Sequence, residues 1–298
     1  MLLPNPVVPT EVVSCAVEEH FGFQPREIAF RPWGEDSWNY MCDDLVVSLR
    51  NDAKGHHPVA YEWATRASES GLDFVLAPVR GIDGEVVHDV GGLPMVASRF
   101  TEGEPFRGDI IEEHWNACLE AMTKVWEEAP LFELDLPRES FVFPFADELE
   151  AARQRADSDL PLVGPYDEVF RQRILRNADK VRGWHDELET LASTLQNDCE
   201  FVLTHGDPAA HNWLLVDGRP VLLDWGGALL SPRERDHYHL ATSLGMTFPP
   251  TPAYRYYDLF WRLSEIAEYA TAFAQPHGDD LDSSAKWRRA CKFLGLCD

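Results

Sequence analysis

Hydrophobic residues between positions 201 and 224 fall into three short runs separated by polar residues. The runs cover residues 201–203, 213–216 and 220–223. Short apolar runs bounded by turn residues are typical of strands. Asp217 and Gly218 lie between the second and third runs, and Asp-Gly in that position is a strong hairpin signal, because glycine adopts positive φ without steric cost. The pattern predicts a strand, a polar loop and then a β-hairpin.

The first hundred residues alternate between β-rich segments and two helical segments. Strands are predicted where apolar and β-branched residues concentrate, and helices where apolar residues recur every three or four positions. The predicted helices cover residues 10–22 and 58–69, and the predicted strands cover residues 27–30, 40–42, 45–49, 74–79, 85–89 and 95–100. These segments predict a small antiparallel sheet accompanied by helix.

The rest of the chain is mainly helical by the same criterion. Trp115, Leu119, Met122 and Trp126 recur at helix spacing and are predicted to form one buried stripe. Further helices are predicted over residues 145–155, 166–195, 235–244 and 254–273. Together with the N-terminal sheet, these helices predict the α+β class.

Composition and charge restrict the partners and the location that we expect. The chain has 298 residues, of which 45% are hydrophobic, and this suits a globular protein of one large domain or two lobes. Its formal net charge of −25 repels nucleic acid and anionic membranes, and it either attracts a cation or serves solubility. The sequence shows no apolar run of 18 residues, no secretory signal and no C-x-x-C pair among its six cysteines. We therefore expect a cytoplasmic protein, monomeric or homodimeric, without nucleic-acid or membrane partners.

The predicted hairpin brings three oxygen-bearing side chains to one place. Asp207 and Asn212 lie on the loop before its first strand, and Asp224 follows its second strand. The spacing between Asp207 and Asn212 equals that between Asp and Asn in the kinase catalytic loop. Asp224 then takes the place of the magnesium-binding Asp that follows that loop in kinases. A loose phosphoryl-transfer transition state needs positioning and charge neutralisation, and Mg²⁺ prefers oxygen ligands. The spacing therefore predicts Asp207 as catalytic base, and Asn212 and Asp224 as metal ligands.

The motif His205-Gly206-Asp207 with Asn212, the hairpin and Asp224-Trp225 resembles the aminoglycoside phosphotransferase and choline kinase-like family of small-molecule kinases. The resemblance is close over roughly residues 200–245 and weaker in the N-terminal part. It implies a protein-kinase-like, two-lobed fold, with an N-lobe over residues 1–101 and a larger, mainly helical C-lobe over residues 102–298.

The same resemblance implies ATP or GTP as the phosphoryl donor, with Mg²⁺. It places the nucleotide base on backbone groups at Ser98 and Phe100, where the N-lobe ends. It also implies that Asp236 fixes the catalytic loop. His205 is expected to be a structural histidine bonded to backbone, which supports the same loop.

The phosphate-binding basic residue is the weakest part of the match. The family usually carries Lys or Arg on the strand before the αC helix of the kinase fold, which the predicted helix 58–69 matches. An ungapped match puts Ser48 at that position. Arg50 lies on the same face of the strand, about 6–7 Å further along. We expect Arg50 to pair with Glu62 of the following helix and with the phosphates. The alternatives are Lys54, or no basic residue and a weak or inactive enzyme.

The acceptor is expected to be a hydroxyl group of a small molecule, and an antibiotic, in particular a cationic one, is the first hypothesis. Choline, a sugar or homoserine are alternatives that the resemblance allows. A metallohydrolase is a different hypothesis, because histidines and aspartates at such spacing suit Zn²⁺ or a two-metal site. Its candidate ligands are His205, Asp207, His211, Asp224, His237 and His239. A catalytically inactive kinase-like binding module is the third hypothesis.

Overall fold

The computed structural model describes residues 3–34, 37–51 and 56–294. These residues divide into two compact units. The first comprises Met1–Glu139 with Glu200–Phe248, and the second comprises Ser140–Cys199 with Pro249–Asp298. The predicted lobe boundary between residues 101 and 102 stays a prediction. Within the described residues, no helix is both long enough and apolar enough to span a membrane.

A five-stranded antiparallel sheet forms the N-terminal part of the first unit. Its strands are β1 (Ile28–Arg31), β2 (Ser37–Cys42), β3 (Leu45–Arg50), β4 (His88–Val90) and β5 (Leu93–Arg99), in the order β1-β2-β3-β5-β4. A turn at Asp43-Asp44 joins β2 to β3, and Asp43 adopts a φ of 52°. The helices α1 (Thr10–Phe21) and α2 (Pro58–Glu69) confirm the two helix predictions to within a residue.

The strand predicted over residues 74–79 is wrong, and the one predicted over residues 85–89 lies later, at β4. Residues 74–79 make only isolated bridges within the described chain, from Val75 to Leu222 and from Pro78 to Ser98. Their backbone hydrogen bonds are divided between two different sheets. The segment therefore connects the N-terminal sheet to the hairpin and does not extend either sheet.

The predicted hairpin is present in the first unit. It consists of β8 (Trp213–Val216) and β9 (Arg219–Leu222), and the short strand β6 (Glu104–Pro105) extends it to three strands. A separate two-stranded sheet pairs β7 (Val202–Thr204) with β10 (Leu229–Ser231). The helices of this part of the unit are α3 (Asp109–Glu128) and α7 (Glu234–Leu244). Three tryptophans, Trp63, Trp213 and Trp225, are fully buried in the shared core. This core holds α2, α3 and the hairpin together.

The second unit is helical. Its helices are α4 (Ala146–Ala156), α5 (Asp167–Arg176), α6 (Ala178–Asp198), α8 (Pro252–Phe273) and α9 (Leu281–Leu294). The helix or helical pair predicted over residues 166–195 is a pair, interrupted at Asn177. The helix predicted over residues 254–273 is α8, and its buried face includes Tyr256, Leu263 and Ala267. These observations confirm the α+β class.

Candidate active site

The loop that carries Asp207 is held by one buried carboxylate. Asp236, near the start of α7, is fully buried. Its Oδ2 accepts the backbone N–H of His205 at 3.0 Å, and its Oδ1 accepts that of Gly206 at 2.7 Å. The indole N–H of Trp126 donates to Oδ2 at 2.9 Å. A carboxylate is also favoured at a helix N-terminus, so Asp236 is well placed to fix the loop, which is the role expected of it.

His205 connects this loop to the end of the hairpin. Its Nε2 lies 2.7 Å from the backbone oxygen of Leu223, and its Nδ1 accepts the N–H of Asp207 at 3.1 Å. The imidazole therefore carries its hydrogen on Nε2 and is neutral, and burial lowers its pKa. Leu223 directly precedes Asp224, so His205 sets the Asp207 and Asp224 loops relative to each other.

The carboxylate of Asp207 has three side-chain neighbours. The Asn212 amide donates to the backbone oxygen of Asp207 at 2.8 Å and to its Oδ2 at 3.2 Å. His211 Nε2 lies 3.1 Å from Oδ2, and His239 Nδ1 lies 2.9 Å from Oδ1. Burial opposes ionisation of Asp207, but His239 and His211 outweigh it and hold its pKa well below the usual value.

Sequence reasoning offered no kinase role for His211 or His239. The signal was weak: His211 is four residues after Asp207, and His239 is three residues after Asp236 on α7. Positions three apart on a helix share a side of it, so Asp236 and His239 can both face the loop. Only the docking of α7 shows that they do.

Asp224 is paired with the buried arginine of β3. Arg50 Nη2 lies 3.1 Å from Asp224 Oδ1 and 3.4 Å from Oδ2. The arginine side chain is 6% exposed and the aspartate side chain 38%. Burial opposes ionisation of Asp224, but Arg50 and His56 outweigh it and lower the pKa. Asp224 itself adopts a left-handed conformation, with φ of 60°, which is uncommon outside glycine.

The partner predicted for Arg50 requires a correction. Glu62 contacts Arg66 Nε at 2.6 Å and Arg80 Nη1 at 2.7 Å. The hydrogen bond from Arg80 is the main cause of the lowered pKa of Glu62. The reason is local: Arg66 is one turn away on α2, and Arg80 arrives from the segment before β4. Arg50 Nε instead donates to His56 Nδ1 at 2.9 Å.

Of the two other candidates for the basic position, Ser48 and Lys54, the structure describes only Ser48. The hydroxyl of Ser48 donates to Asn39 Oδ1 of the neighbouring strand at 2.6 Å. Ser48 supplies no charge, so it does not replace a basic residue. Lys54 lies outside the described residues. Within the described part of the chain, Arg50 is the predicted basic residue that contacts Asp224.

Helix α2 shapes the turn after Asp224. The N–H of His57 donates to the backbone oxygen of Gly226 at 2.9 Å, and the rings of Trp63 and Trp225 lie 5.1 Å apart. A Cβ at Gly226 would collide with the hydroxyl oxygen of Tyr61. Glycine fits at this position because Tyr61 occupies the space that a side chain would need. No sequence pattern indicated this contact.

Arg235 links the same two loops from the other side. Its Nη1 donates to Thr204 Oγ1 at 3.1 Å and its Nη2 to the backbone oxygen of Gly227 at 3.0 Å. The guanidinium lies over Gly206, where a Cβ would collide with it. Gly206 also has a φ of 97°, so both the backbone and the arginine demand glycine in the His-Gly-Asp motif.

The residues expected at the nucleotide base lie at the end of β5. Ser98 is paired with Val46 of β3. The backbone N–H of Phe100 donates to the oxygen of Asp44 at 2.8 Å, and its ring stacks on Trp33 with centroids 6.4 Å apart. Since that N–H is engaged, a nucleotide base at Phe100 would have to use the carbonyl oxygen.

The histidines of the metallohydrolase hypothesis do not act as one group. His205 is engaged with backbone groups on both ring nitrogens. His237 stacks on Phe248 with centroids 4.0 Å apart, and its edge meets Trp126. His211 and His239 contact Asp207. Asn212 and Arg50, which the hydrolase hypothesis leaves without a role, both belong to the site.

Comparison with known proteins agrees with this geometry. The model of the phosphotransferase enzyme family matches residues 43–269. The chain is 36% identical over 312 residues to protein StrN of Streptomyces griseus, covering 99% of this chain and 96% of the relative. Among solved structures, a spectinomycin phosphotransferase with ADP and spectinomycin has a TM-score of 0.76 at 14% identity, covering 98% of both chains. The choline kinase LicA of Streptococcus pneumoniae has a TM-score of 0.56 at 12% identity, covering 97% of this chain and 99% of that one.

The fold is protein-kinase-like, as in the spectinomycin phosphotransferase and the choline kinase. The chain belongs to the phosphotransferase enzyme family, because the family model matches about three quarters of its length and a relative above 30% identity matches nearly all of it. The resemblance carried by the His-Gly-Asp loop is thereby confirmed. The protein is a phosphotransferase, and the metallohydrolase hypothesis is wrong.

Proposed function

We propose that this phosphotransferase moves the γ-phosphoryl group of ATP or GTP, with Mg²⁺, to a hydroxyl group of a cationic small molecule, with an antibiotic as the first candidate. One observation carries the proposal: Asp207 contacts Asn212 on the loop that leads into the hairpin, and Asp224, which follows the second strand of the hairpin, contacts the buried Arg50. These residues supply an acid–base group, oxygen ligands and a cation, which are the parts that phosphoryl transfer uses.

Asp207 is proposed to orient the attacking hydroxyl. Its two histidine neighbours keep its pKa low, so the carboxylate is ionised at neutral pH and is a weak base. A weak base is sufficient, because the loose transition state needs an aligned hydroxyl more than early removal of its proton. Asp236 and His205 hold the loop in this position through the hydrogen bonds described above.

Asn212 and Asp224 are proposed to hold Mg²⁺. The amide nitrogen of Asn212 faces two acceptor oxygens of Asp207, so the amide oxygen is directed away from Asp207. The lowered pKa of Asp224 keeps its carboxylate ionised. Both groups offer the oxygen donors that Mg²⁺ prefers, and the bound ion would neutralise phosphate charge.

Arg50 is proposed to contact the phosphates from its position on Asp224, as a guanidinium binds phosphate in a bidentate manner. The base is proposed to lie at Ser98 and Phe100, between lobes of residues 1–101 and 102–298. In this proposal Glu62 acts on the site only indirectly, since it pairs with Arg66 of its own helix and with Arg80 of the segment before β4.

The net charge supports a cationic acceptor. The formal net charge of −25 concentrates cations near the protein. One solved structure of similar fold contains spectinomycin, and another is a choline kinase. We therefore rank cationic antibiotics before choline, sugars and homoserine as acceptors, in a cytoplasmic enzyme.

A substrate screen tests the proposal. The full chain would be incubated with ATP or GTP, Mg²⁺ and each candidate acceptor, with nucleotide consumption as readout and mass spectrometry of the acceptor as proof of phosphorylation. We expect one class of cationic acceptor to gain a phosphoryl group, and Asp207→Asn to lose this activity. Nucleotide binding without transfer to any acceptor would instead favour the inactive module, and transfer only to neutral metabolites would refute the cationic acceptor.

A further inference from the structure

Three side chains with metal-ligating atoms meet beside Gly81, outside the site described above. They are His20 in the last turn of α1, Asp83 in the turn before β4 and His88 at the start of β4. One ligand atom of each lies within 4.8 Å of the others. His88 Nδ1 is 3.8 Å from Asp83 Oδ2, and the rings of His20 and His88 have centroids 4.2 Å apart.

His88 is the unexplained member of this group. The residue is 6% exposed, and its Nε2 is buried without a hydrogen-bond partner among the described residues. Buried polar atoms are almost always paired, so an orphaned imidazole nitrogen calls for an explanation. Burial and the neighbouring His20 lower the pKa of His88, although Asp83 and Glu85 oppose this.

Gly81 lies beside both the orphaned nitrogen of His88 and the carboxylate of Asp83. A Cβ at Gly81 would lie 2.8 Å from His88 Nε2 and 2.8 Å from Asp83 Oδ1. Both atoms therefore border the same small space, which any larger residue would fill. A backbone hydrogen bond also holds His20 close to this space, because the N–H of Ile82 donates to the backbone oxygen of His20 at 2.8 Å.

We propose that His20, Asp83 and His88 bind a first-row divalent cation, with Zn²⁺ as the best fit and water in the fourth position. Two imidazoles and one carboxylate are a usual three-residue zinc set. The rings of His20 and His88 are stacked at 24°, so their in-plane lone pairs do not yet converge. Half-buried His20 therefore turns its side chain on binding, while buried His88 stays in place. The ion joins the end of α1 to the edge strand β4.

Titration of the full chain with either Zn²⁺ or Co²⁺ tests this site. Excess Mg²⁺ is present throughout, so that the proposed magnesium site is filled. We expect one ion per chain and visible Co²⁺ bands without a thiolate charge-transfer band. His20→Gln and Asp83→Asn change residues that are not buried, so both should fold. We expect each variant to weaken binding at least tenfold, which corresponds to about 1.4 kcal/mol. Zn²⁺ should raise the Tm of the original chain but not that of His20→Gln or Asp83→Asn.

The matched control is His185→Gln on α6. His185, Asp186 and Glu189 form the other histidine–carboxylate group of the described residues, but Asp186 and Glu189 are exposed. This control should bind the metal as the original chain does. Absence of saturable binding, unchanged affinity in His20→Gln and Asp83→Asn, a thiolate band, or loss of binding in His185→Gln would each overturn the proposal.

Discussion

Replacing Asp236 measures how much stability the Asp207 loop takes from one buried carboxylate. The side chain accepts the backbone N–H groups of His205 and Gly206, and also the indole N–H of Trp126. Asp236→Ala leaves these three donors without their acceptor, and each buried unpaired donor costs about 1–3 kcal/mol. Removing a buried charge offsets part of the loss. We expect the free energy of unfolding to fall by about 3–5 kcal/mol.

Asp236→Asn provides a graded comparison. An amide oxygen at the Oδ2 position still accepts from His205 and Trp126, while the amide NH₂ group faces the N–H of Gly206. One donor is then unpaired instead of three, so we expect a loss of about 1–3 kcal/mol. The ordering of the two variants follows directly from which oxygen serves which donor.

Urea unfolding, followed by circular dichroism, measures both losses through the midpoint and the slope. Trp126→Phe supplies a matched control. It should lower the free energy of unfolding less in the Asp236→Ala background than in the original chain, because the indole has already lost its acceptor there. An Asp236→Ala midpoint equal to that of the original chain would refute the reasoning. So would an Asn variant as unstable as the Ala variant.

Four further predictions concern the two loops. Asp207→Asn should lower turnover by roughly 10²–10⁴-fold at an unchanged melting temperature, because the positioned carboxylate is lost while the fold is kept. Asp224→Ala should abolish Mg²⁺-dependent nucleotide binding in calorimetry, because an ionised oxygen ligand is removed. Arg50→Ala should raise the KM for ATP and lower turnover in steady-state kinetics, because the phosphates lose a guanidinium. Gly226→Ala should lower the melting temperature through the clash with Tyr61, and Tyr61→Ala should restore part of that loss.

Each of these four has a result that would contradict it. Near-normal turnover of Asp207→Asn would remove its catalytic role, and unchanged Mg-ATP affinity of Asp224→Ala would remove the metal assignment. A silent Arg50→Ala, with a damaging Lys54→Ala, would show that the wrong basic residue was chosen. A Gly226→Ala protein as stable as the original would mean that Tyr61 moves aside at no cost.

Short-range sequence pattern determined the hairpin, the contact between Asp207 and Asn212, and the helices discussed here. The hairpin of β8 and β9 follows from Asp217-Gly218 between apolar runs, and Asp207 reaches Asn212 because both lie on one short loop. Helix periodicity likewise located α2 and the buried face of α8. Such features depend on residues within a few positions of each other, so local sequence specifies them and the family motif is recognisable.

Tertiary structure alone decided which partners the charged groups take. Arg50 meets Asp224, 174 positions away, whereas Glu62 is taken by Arg80 from outside its helix. The position of His239 on Asp207 and of Arg235 over Gly206 depends on how α7 docks. Pairings of this kind follow from the packing of distant elements, and neither periodicity nor spacing carries that information. The sequence therefore determined which chemical groups are present, and the packing of α2 and α7 against the hairpin determined which of them meet.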